Sequence, residues 1–373
     1  MSDSVDALAE LRQQIDSLDG ELLKLLNNRA GLAQEVARVK SGSGTAPASF
    51  YRPERERALI DRLQEQNPGP FPGDAIRPVF QEIISACLSL EQGIEVAYLG
   101  PEATFTHQAV KRHFGTSANA IPCGTIAAVF NEVERQEASF GVVPVENSSE
   151  GIITHTLDCF VESSLVIVAE VVVDIEHCLL ARDGVGEGAV QRVYANPQSL
   201  AMAREWLRQN LSDTQIIECA STADAAGKAK EDAHGACVAG ELAARMFGLC
   251  VLRRNLQNDL GAVTRFLVVG REGQDVSGLS EIARSSMKTS LLLTLPDKAG
   301  ALRQVLAYFD EQGINLCKIE SRPTKEKIWD YVFFLDLDGH HDDDTVSEAL
   351  SKLAGNCELF KILGSYPKAD IHE

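Results

Sequence analysis

The chain is short of positive charge, and this shortage limits its partners. Its 373 residues include 35 lysines and arginines against 54 aspartates and glutamates, a formal net charge of −19 at pH 7. Such an excess of acids argues strongly against nucleic acid or an anionic membrane as the main partner. If the substrate is itself an anion, basic side chains must be gathered locally against the overall field.

The sequence also lacks a long hydrophobic run and paired cysteines. Its longest apolar stretch, Leu165–Ile175, is interrupted by Glu170 and Asp174 and is too short to span a bilayer. The nine cysteines are odd in number and include no Cys-x-x-Cys pair. The acidic first ten residues contain no apolar signal core. These absences predict a soluble, cytoplasmic protein whose cysteines are mostly small buried hydrophobes.

Several common site motifs are missing as well. There is no P-loop lysine signature and no Gly-x-Ser-x-Gly, and Gly184–Gly188 departs from the dinucleotide fingerprint. His340–Asp344 could suggest a metal site, but a solvated loop leading into a helix N-cap explains it better. We therefore expect neither a metal nor a cofactor.

What the sequence does contain is three segments with different patterns, as its length suggests. In the first, residues 1–93, apolar residues recur every three or four positions from Asp6 to Lys40, which predicts a helix roughly 50 Å long. No small domain can cover such a rod, so the pattern predicts helix pairing between subunits. Two further helices, Pro53–Gln66 and Asp74–Glu91, make this segment all-helical.

The second segment, residues 94–273, alternates strand-like and helical patterns. Strand-like runs such as Val96–Leu99 and Phe266–Val269 are separated by helices, which indicates an α/β fold. Its length suits two lobes with a cleft between them, the chain crossing near Val173 and again near Gly261.

The third segment, residues 286–373, follows a linker rich in glycine, serine and charged residues. Its pattern is β-α-β-β-α-β, with helices at Ala301–Gln312 and Asp343–Leu353, which is a ferredoxin-like α+β order. The predicted fold class is therefore multidomain: an all-α three-helix segment, a two-lobed α/β segment and a ferredoxin-like segment.

Polar side chains stand where two apolar strands end or begin. Val143–Gly151 ends one strand and Thr264-Arg265-Phe266 begins another, and α/β folds place their ligands at such strand ends. Together with Leu99–Phe105 and Asn196–Ser199, in this order along the chain, these motifs resemble prephenate dehydratase.

That resemblance implies a decarboxylative dehydration of prephenate to phenylpyruvate, in which a positioned proton donor helps hydroxide to leave. The donor would be Thr264. Arg265 would either bind a carboxylate or hold the fold, and Phe266 would belong to either core or site. The other substrate-binding residues would be Thr104, Asn147, Ser148 and Ser199.

Three positions depart from that family's pattern. Ala103 stands where glycine is usual, Asn196 where histidine is common, and Ala262 where asparagine is common. We expect these departures to change local hydrogen bonding and not the class of reaction.

Basic residues are concentrated in the helical segment. Arg29 and Lys40 are eleven residues apart and project from one helix face, whereas Arg12 lies about 100° round the helix from Arg29. With Tyr51–Glu56, the motifs around these residues resemble the all-helical chorismate mutase family. In that family the domain is an intertwined dimer, and an arginine matching Arg12 reaches the other subunit's pocket.

This second resemblance implies a Claisen rearrangement of chorismate to prephenate. The reaction needs no nucleophile or cofactor, only a held conformer and fixed donors at the departing oxygen. Arg12, Arg29 and Arg55 would bind the two carboxylates of the substrate. Lys40 and Glu91 would contact its ether oxygen, and Glu56 would contact a hydroxyl. Cys87 would also belong to this substrate-binding site. Some relatives carry glutamine at the Glu91 position. A glutamate donates only when protonated, so its pKa would have to be raised.

Two motifs of the third segment, Gly300-Ala301-Leu302 and Glu320-Ser321-Arg322-Pro323, resemble the phenylalanine-binding motifs of the ACT domain. The resemblance implies that phenylalanine binds between paired domains, with Asn315 and Leu316 in the site, and inhibits catalysis. A small stabilising domain is the alternative.

Together the resemblances imply a bifunctional enzyme of L-phenylalanine biosynthesis that works as a homodimer or higher. Two alternatives stay open: a dehydratase whose helical segment only dimerises, and a two-lobed sensor that binds an amino acid or prephenate.

Overall fold

The computed structural model describes residues 2–42, 53–91, 93–149, 151–257, 261–272, 287–323 and 331–369. Three parts of the sequence lie outside these ranges: most of the linker at residues 270–286, the charged turn that the sequence predicts between two strands at residues 324–327, and Tyr51 with Arg52. The chain forms two compact units, one of residues 1–94 with 114–119, the other of residues 95–113 with 120–373.

The first unit contains three helices, as its apolar spacing predicts. α1 spans Ser2–Gly42, α2 spans Pro53–Glu65 and α3 spans Gly73–Glu91. The 41 residues of α1 confirm the predicted long helix. Proline opens α2 because its missing N–H costs nothing in a first helical turn. Both α1 and α2 pack against α3.

One long face of α1 is apolar, yet it stays uncovered by the residues that the structure describes. Leu18 is 59% exposed and Leu25 is 63% exposed. A contiguous apolar strip of this length is rare on a monomer. Its exposed members are Leu8, Leu11, Ile15, Leu18, Leu22, Leu23, Leu25, Leu26, Leu32, Val36 and Val39.

The second unit begins with a six-stranded sheet, which we call the first sheet. Its strands are β1 Glu95–Leu99, β2 Asn119–Cys123, β3 Phe140–Asn147, β4 Gly151–Ile152, β5 Val166–Asp174 and β11 Val263–Gly270. Their order is β2-β1-β3-β11-β5, with β4 paired to β3. β11 returns from far along the chain and runs antiparallel to both neighbours. Its insertion brings the end of β3 beside the start of β11.

Helices of this lobe are α4 Phe105–Phe114, α5 Ile126–Glu134 and α6 Thr154–Glu162. The core beside the first sheet includes Val129 and Phe130 of α5 and Phe160 of α6. The side chain of Thr125 caps α5 by accepting from the N–H of Ala128 at 3.1 Å.

A second five-stranded sheet forms the other lobe, which the chain enters after Asp174 and leaves before Val263. The strand order is β10-β6-β9-β7-β8. The strands are β6 Cys178–Ala181, β7 Arg192–Ala195, β8 Gln215–Glu218, β9 Gly235–Ala239 and β10 Cys250–Arg253. The helices are α7 Pro197–Asn210, α8 Thr222–Glu231 and α9 Glu241–Phe247.

The chain ends in a four-stranded antiparallel sheet, the third sheet, ordered β13-β14-β12-β15. Its elements are β12 Met287–Thr294, α10 Ala301–Glu311, β13 Leu316–Pro323, β14 Tyr331–Asp338, α11 Asp344–Ala354 and β15 Leu359–Pro367. This order confirms the ferredoxin-like prediction, and with the helical and α/β parts the multidomain fold class.

The third sheet is covered on both faces. Leu291, Val305 and Leu350 belong to the core under α10 and α11. On the other face, Phe334 and Tyr366 join the core of the first sheet. A side chain at Gly364 would clash with the carbonyl of Ile167, so β15 can approach β5 only through glycine. Within the described ranges, no helix is long and apolar enough to cross a membrane.

Candidate functional site

A buried hydrogen bond joins the two motifs that stand at strand ends. Nδ2 of Asn147, the last residue of β3, donates to Oγ1 of Thr264 at 2.8 Å across 117 residues of sequence. The two residues are direct partners in the strand pairing, and both are buried. The structure thus brings together the predicted proton donor and a predicted substrate-binding residue.

The direction of this hydrogen bond matters for the chemistry of Thr264. Oδ1 of Asn147 accepts from the N–H of Ser149 at 2.9 Å, which orients the amide NH₂ group towards Thr264. The threonine oxygen is therefore an acceptor, and among the described residues nothing accepts its own proton. Because a donor at Oγ1 favours the negatively charged form of that oxygen, Asn147 makes the hydroxyl a better acid.

Ser148 anchors the start of β11. Its Oγ accepts from the N–H of Val263 at 3.0 Å, and its own N–H donates to the carbonyl of Val263 at 2.9 Å. The carbonyl of the neighbouring Ala262 accepts from the N–H of Ile175 at 2.8 Å. A backbone contact of this kind explains how alanine is tolerated at position 262.

Ser199 lies in the first turn of α7 and contacts a histidine that the motifs do not predict. Its Oγ is 3.1 Å from Nε2 of His177, and its N–H donates to Oδ1 of Asn196 at 2.9 Å. Burial lowers the pKa of His177 to about 4, so the imidazole is neutral at pH 7. Asn196 works here as the N-cap of α7.

Thr104 builds the turn that follows β1. Its Oγ1 donates to the carbonyl of Pro101 at 3.0 Å and accepts from the N–H of His107 at 3.3 Å. The preceding Ala103 has φ of 62°, in the left-handed region that glycine enters at lower cost. Within the described residues, Thr104 makes no hydrogen bond to Asn147 or Thr264.

Arg265 points to the opposite side of β11 from Thr264. Its Nε donates to Glu170 at 2.7 Å, and its Nη2 donates to Asp336 at 2.9 Å and to the Tyr366 hydroxyl at 3.1 Å. Burial alone would lower the pKa of Arg265, but the neighbouring acidic groups outweigh it and raise that pKa. Of the two roles open to Arg265, these contacts favour holding the fold.

Phe266 is 2% exposed, and a bulge interrupts the pairing of β11 with β3 between Arg265 and Phe266. Its burial favours the core over the site.

The predicted mutase residues are spread over all three helices of the first unit. Arg29 and Glu56 are partly buried, Cys87 is buried, and Arg12 and Arg55 are exposed. Lys40 and Glu91 lie near the C-terminal ends of α1 and α3, and their side chains are outside the described part of the structure.

The predicted phenylalanine-binding residues fall at the two opposite ends of the strands in the third sheet. Gly300, with φ of 84°, precedes α10, so Gly300–Leu302 follow the end of β12. Glu320–Pro323 lie towards the same end, because Thr294 and Arg322 both pair with Val332. Asn315 and Leu316 lie at the other end, where Asn315 donates to Asp338 at 3.2 Å.

Histidines 340 and 341 and Asp342 are the group among the described residues that could hold a metal, with ligand atoms within 4.8 Å of one another. Nδ1 of His340 accepts from the N–H of Asp342, and Nδ1 of His341 lies 2.7 Å from Oγ of Ser365. The run leads into the N-cap of α11 at Asp343, as predicted, but it is not solvated throughout, because His340 is buried. These contacts give the run a local structural role.

Three family models match consecutive parts of the chain. They are chorismate mutase type II over residues 11–92, prephenate dehydratase over residues 96–274 and the ACT domain over residues 289–355.

Two relatives match along the whole length. The chain is 46% identical over 374 aligned positions to the bifunctional chorismate mutase/prephenate dehydratase of Aquifex aeolicus, with 99% of this chain and 100% of that protein covered. It is 41% identical over 367 positions to the enzyme of the same name from Pseudomonas aeruginosa, covering 98% of each.

A solved structure is similar in fold as well. The prephenate dehydratase of Arthrobacter aurescens in complex with L-Phe has a TM-score of 0.66 and 35% identity, over 75% of this chain and 92% of that one. Identity that extends from the helices to the third sheet shows the family, and the chain is a member of the bifunctional chorismate mutase/prephenate dehydratases with an ACT domain.

Proposed function

We propose that this chain converts chorismate to prephenate in its helical domain, residues 1–93, and prephenate to phenylpyruvate in its α/β domain, residues 94–273. The third domain, residues 286–373, binds phenylalanine and inhibits catalysis. The protein works in L-phenylalanine biosynthesis as a cytoplasmic homodimer or larger assembly. The observation that carries the proposal is the buried hydrogen bond from Asn147 to Thr264.

In the dehydratase reaction, the bond between the ring and its carboxylate breaks, carbon dioxide departs, and the electrons of that bond make the ring aromatic as hydroxide leaves. Thr264 donates its proton to the departing hydroxide, which leaves as water, and later regains a proton from solvent. Asn147 stabilises the oxygen left behind through its N–H at 2.8 Å. Ser148 and Ser199 are polar wall residues, each anchored by a contact of its own.

In the mutase reaction, the enzyme holds chorismate in its reactive conformer and stabilises charge on the ether oxygen. Arg29 and Arg55 bind carboxylates, Lys40 and Glu91 contact the ether oxygen, and Glu56 a hydroxyl. Arg12 completes the pocket of the partner subunit. The exposure of Arg12 and the uncovered apolar strip on the same helix support this exchange between subunits.

Phenylalanine binding also requires two copies of the third domain. Leu316 and Arg322 are six residues apart on β13, about 20 Å at the usual strand rise. That span exceeds the length of one amino acid. A single site that uses both groups of residues therefore forms when one end of β13 in one domain meets the opposite end of β13 in another.

Chorismate supplied to the purified full chain tests the proposal. Phenylpyruvate formation means that both activities are present. Failure to consume chorismate, with prephenate still converted, favours a dehydratase whose helices only dimerise. Failure to convert either compound favours the sensor.

Glu91→Gln tests how charge on the ether oxygen is stabilised. We expect wild-type mutase turnover to fall as the pH rises above neutrality, because a glutamate donates only when protonated. The Glu91→Gln variant should lose this dependence, since an amide N–H donates at any pH. Turnover profiles of both proteins across neutral pH give the comparison, and a flat wild-type profile would contradict the idea.

Leu18→Glu tests pairing through the apolar strip of α1. A charge at this 59% exposed leucine should convert the dimer to a monomer and abolish mutase turnover, because burying an unpaired carboxylate is costly. Mass and turnover can be followed by light scattering and chorismate consumption. Ile216→Glu, at a 46% exposed position of β8, is the matched control and should change neither. A dimeric, active Leu18→Glu protein would place the interface elsewhere.

A further inference from the structure

The residues next to Asn147 and Thr264 point the other way, into the third sheet. Glu146 precedes Asn147 on β3, and its carboxylate accepts from Nζ of Lys318 on β13 at 2.7 Å. Arg265 follows Thr264 on β11 and donates to Asp336 on β14 at 2.9 Å. Each member of the proposed catalytic pair is thus one peptide away from an ion pair to the third domain.

These four charged residues form one connected group, which we call the rear clamp. Glu146 and Arg265 are direct partners in the pairing of β3 with β11, and their side chains lie 3.7 Å apart. Lys318 and Asp336 are likewise partners in the pairing of β13 with β14. The clamp therefore ties one pair of neighbouring strands in the first sheet to one pair in the third sheet.

We propose that the rear clamp positions the hydroxyl of Thr264, so that Lys318 of the third domain is a positioning residue for the dehydratase reaction. The inference rests on the proposed function of Thr264. It assigns to the third sheet a part in the uninhibited reaction, separate from phenylalanine binding.

Local strand structure explains why a clamp is needed at this point. The pairing of β3 with β11 shifts between Arg265 and Phe266, so that Val145 is an extra residue on β3. The partner of Phe266 is Pro144, which has no N–H to donate. The backbone ladder is therefore interrupted beside Asn147 and Thr264, and side chains behind the strands must help to hold their register.

Space beside the clamp lets it shift. A cavity of about 30 Å³ is lined by Arg265, Lys318 and Asp336 together with apolar side chains such as Leu267. A cavity of that size has room for about two water molecules. The side chain at position 318 therefore has space beside it into which it can move.

Lys318→Met in the full chain tests the proposal. Removing the ammonium group should lower kcat for prephenate about tenfold, because a small misplacement of a proton donor is costly. KM for prephenate and the rate of chorismate consumption should stay within about twofold of wild type. Lys318→Arg, which keeps the charge, should restore most of kcat.

Lys361→Met is the matched control. Lys361 also belongs to the third sheet and also crosses to the first lobe, where it donates to the carbonyls of Phe160 and Ser163, away from the strand ends. Its loss should leave kcat unchanged. A second measurement combines Lys318→Met with Glu146→Gln. The combined loss should be smaller than the product of the single losses, because both remove the same ion pair.

An unchanged kcat in Lys318→Met would overturn the proposal, and so would an equal fall in Lys361→Met, which would indicate general loosening of the domain contact. A wild-type protein that fails to convert prephenate would instead overturn the proposed function, and this inference with it.

Discussion

Replacing Thr264 by alanine is expected to lower the rate of phenylpyruvate formation by about 10²–10⁴-fold, the usual contribution of a positioned proton donor. The substitution removes the hydroxyl proton of Thr264, and the amide of Asn147, which donates an N–H to Oγ1, is far too weak an acid to replace it. Consumption of chorismate should be unchanged, because the mutase residues lie on the helices of the first unit. Coupled assays with chorismate and with prephenate measure both rates on one preparation.

Thr264→Ser is the control for this prediction. Serine keeps the hydroxyl, so this variant should retain far more dehydratase turnover than the alanine variant. Substantial phenylpyruvate formation by Thr264→Ala would remove the residue from the role of proton donor.

Arg265→Met is expected to lower the free energy of unfolding of the second unit by about 3–5 kcal/mol, the cost of breaking a buried ion pair from one side. The Arg265 side chain is 15% exposed, and those of its partners Glu170 and Asp336 are 4% and 10% exposed. In the variant, Nζ of Lys288 still lies 3.0 Å from the Glu170 carboxylate and neutralises it. Asp336 keeps only a hydrogen bond from the Ser290 hydroxyl among the contacts of the described residues that remain. One buried carboxylate is thus left without a cation.

Arg208→Met is the matched control on the surface. Its salt bridge to Glu205 joins side chains that are 72% and 45% exposed. Because solvent screens such pairs, its loss should cost less than about 1 kcal/mol. Urea unfolding followed by circular dichroism compares the two variants with wild type. Equal stability of Arg265→Met and Arg208→Met would show that the buried network contributes little.

Elements with strong periodicity could be predicted from the sequence. The spacing of leucines predicts α1, and the uncovered apolar strip on that helix is what a rod too long for its own domain must show. The same holds for the ferredoxin-like order of the third segment. In contrast, β6, β7 and β9 are short, and their apolar runs are too brief to separate strand from helix by period alone.

Partners that meet across sheets could not be predicted. Glu170 interrupts an apolar strand, and a lone acid in such a run was the one available signal of a buried ion pair. However, no local pattern identifies Arg265, Asp336 or Tyr366 as members of the same buried network, because they come from β11, β14 and β15. His177 lies in the connection between β5 and β6 and belongs to none of the motifs in the sequence.

By itself the sequence determined which residue types stand at the strand ends and on the helices, and through them the family and its reactions, because side-chain chemistry and periodicity are local properties. The tertiary structure alone decided which way neighbouring residues face. Consecutive strand residues point to opposite sides of a sheet, so Thr264 meets Asn147 while Arg265, one peptide later, meets the third domain. What lies on each side depends on β11 being inserted between β3 and β5, a pairing of distant segments that no local pattern encodes.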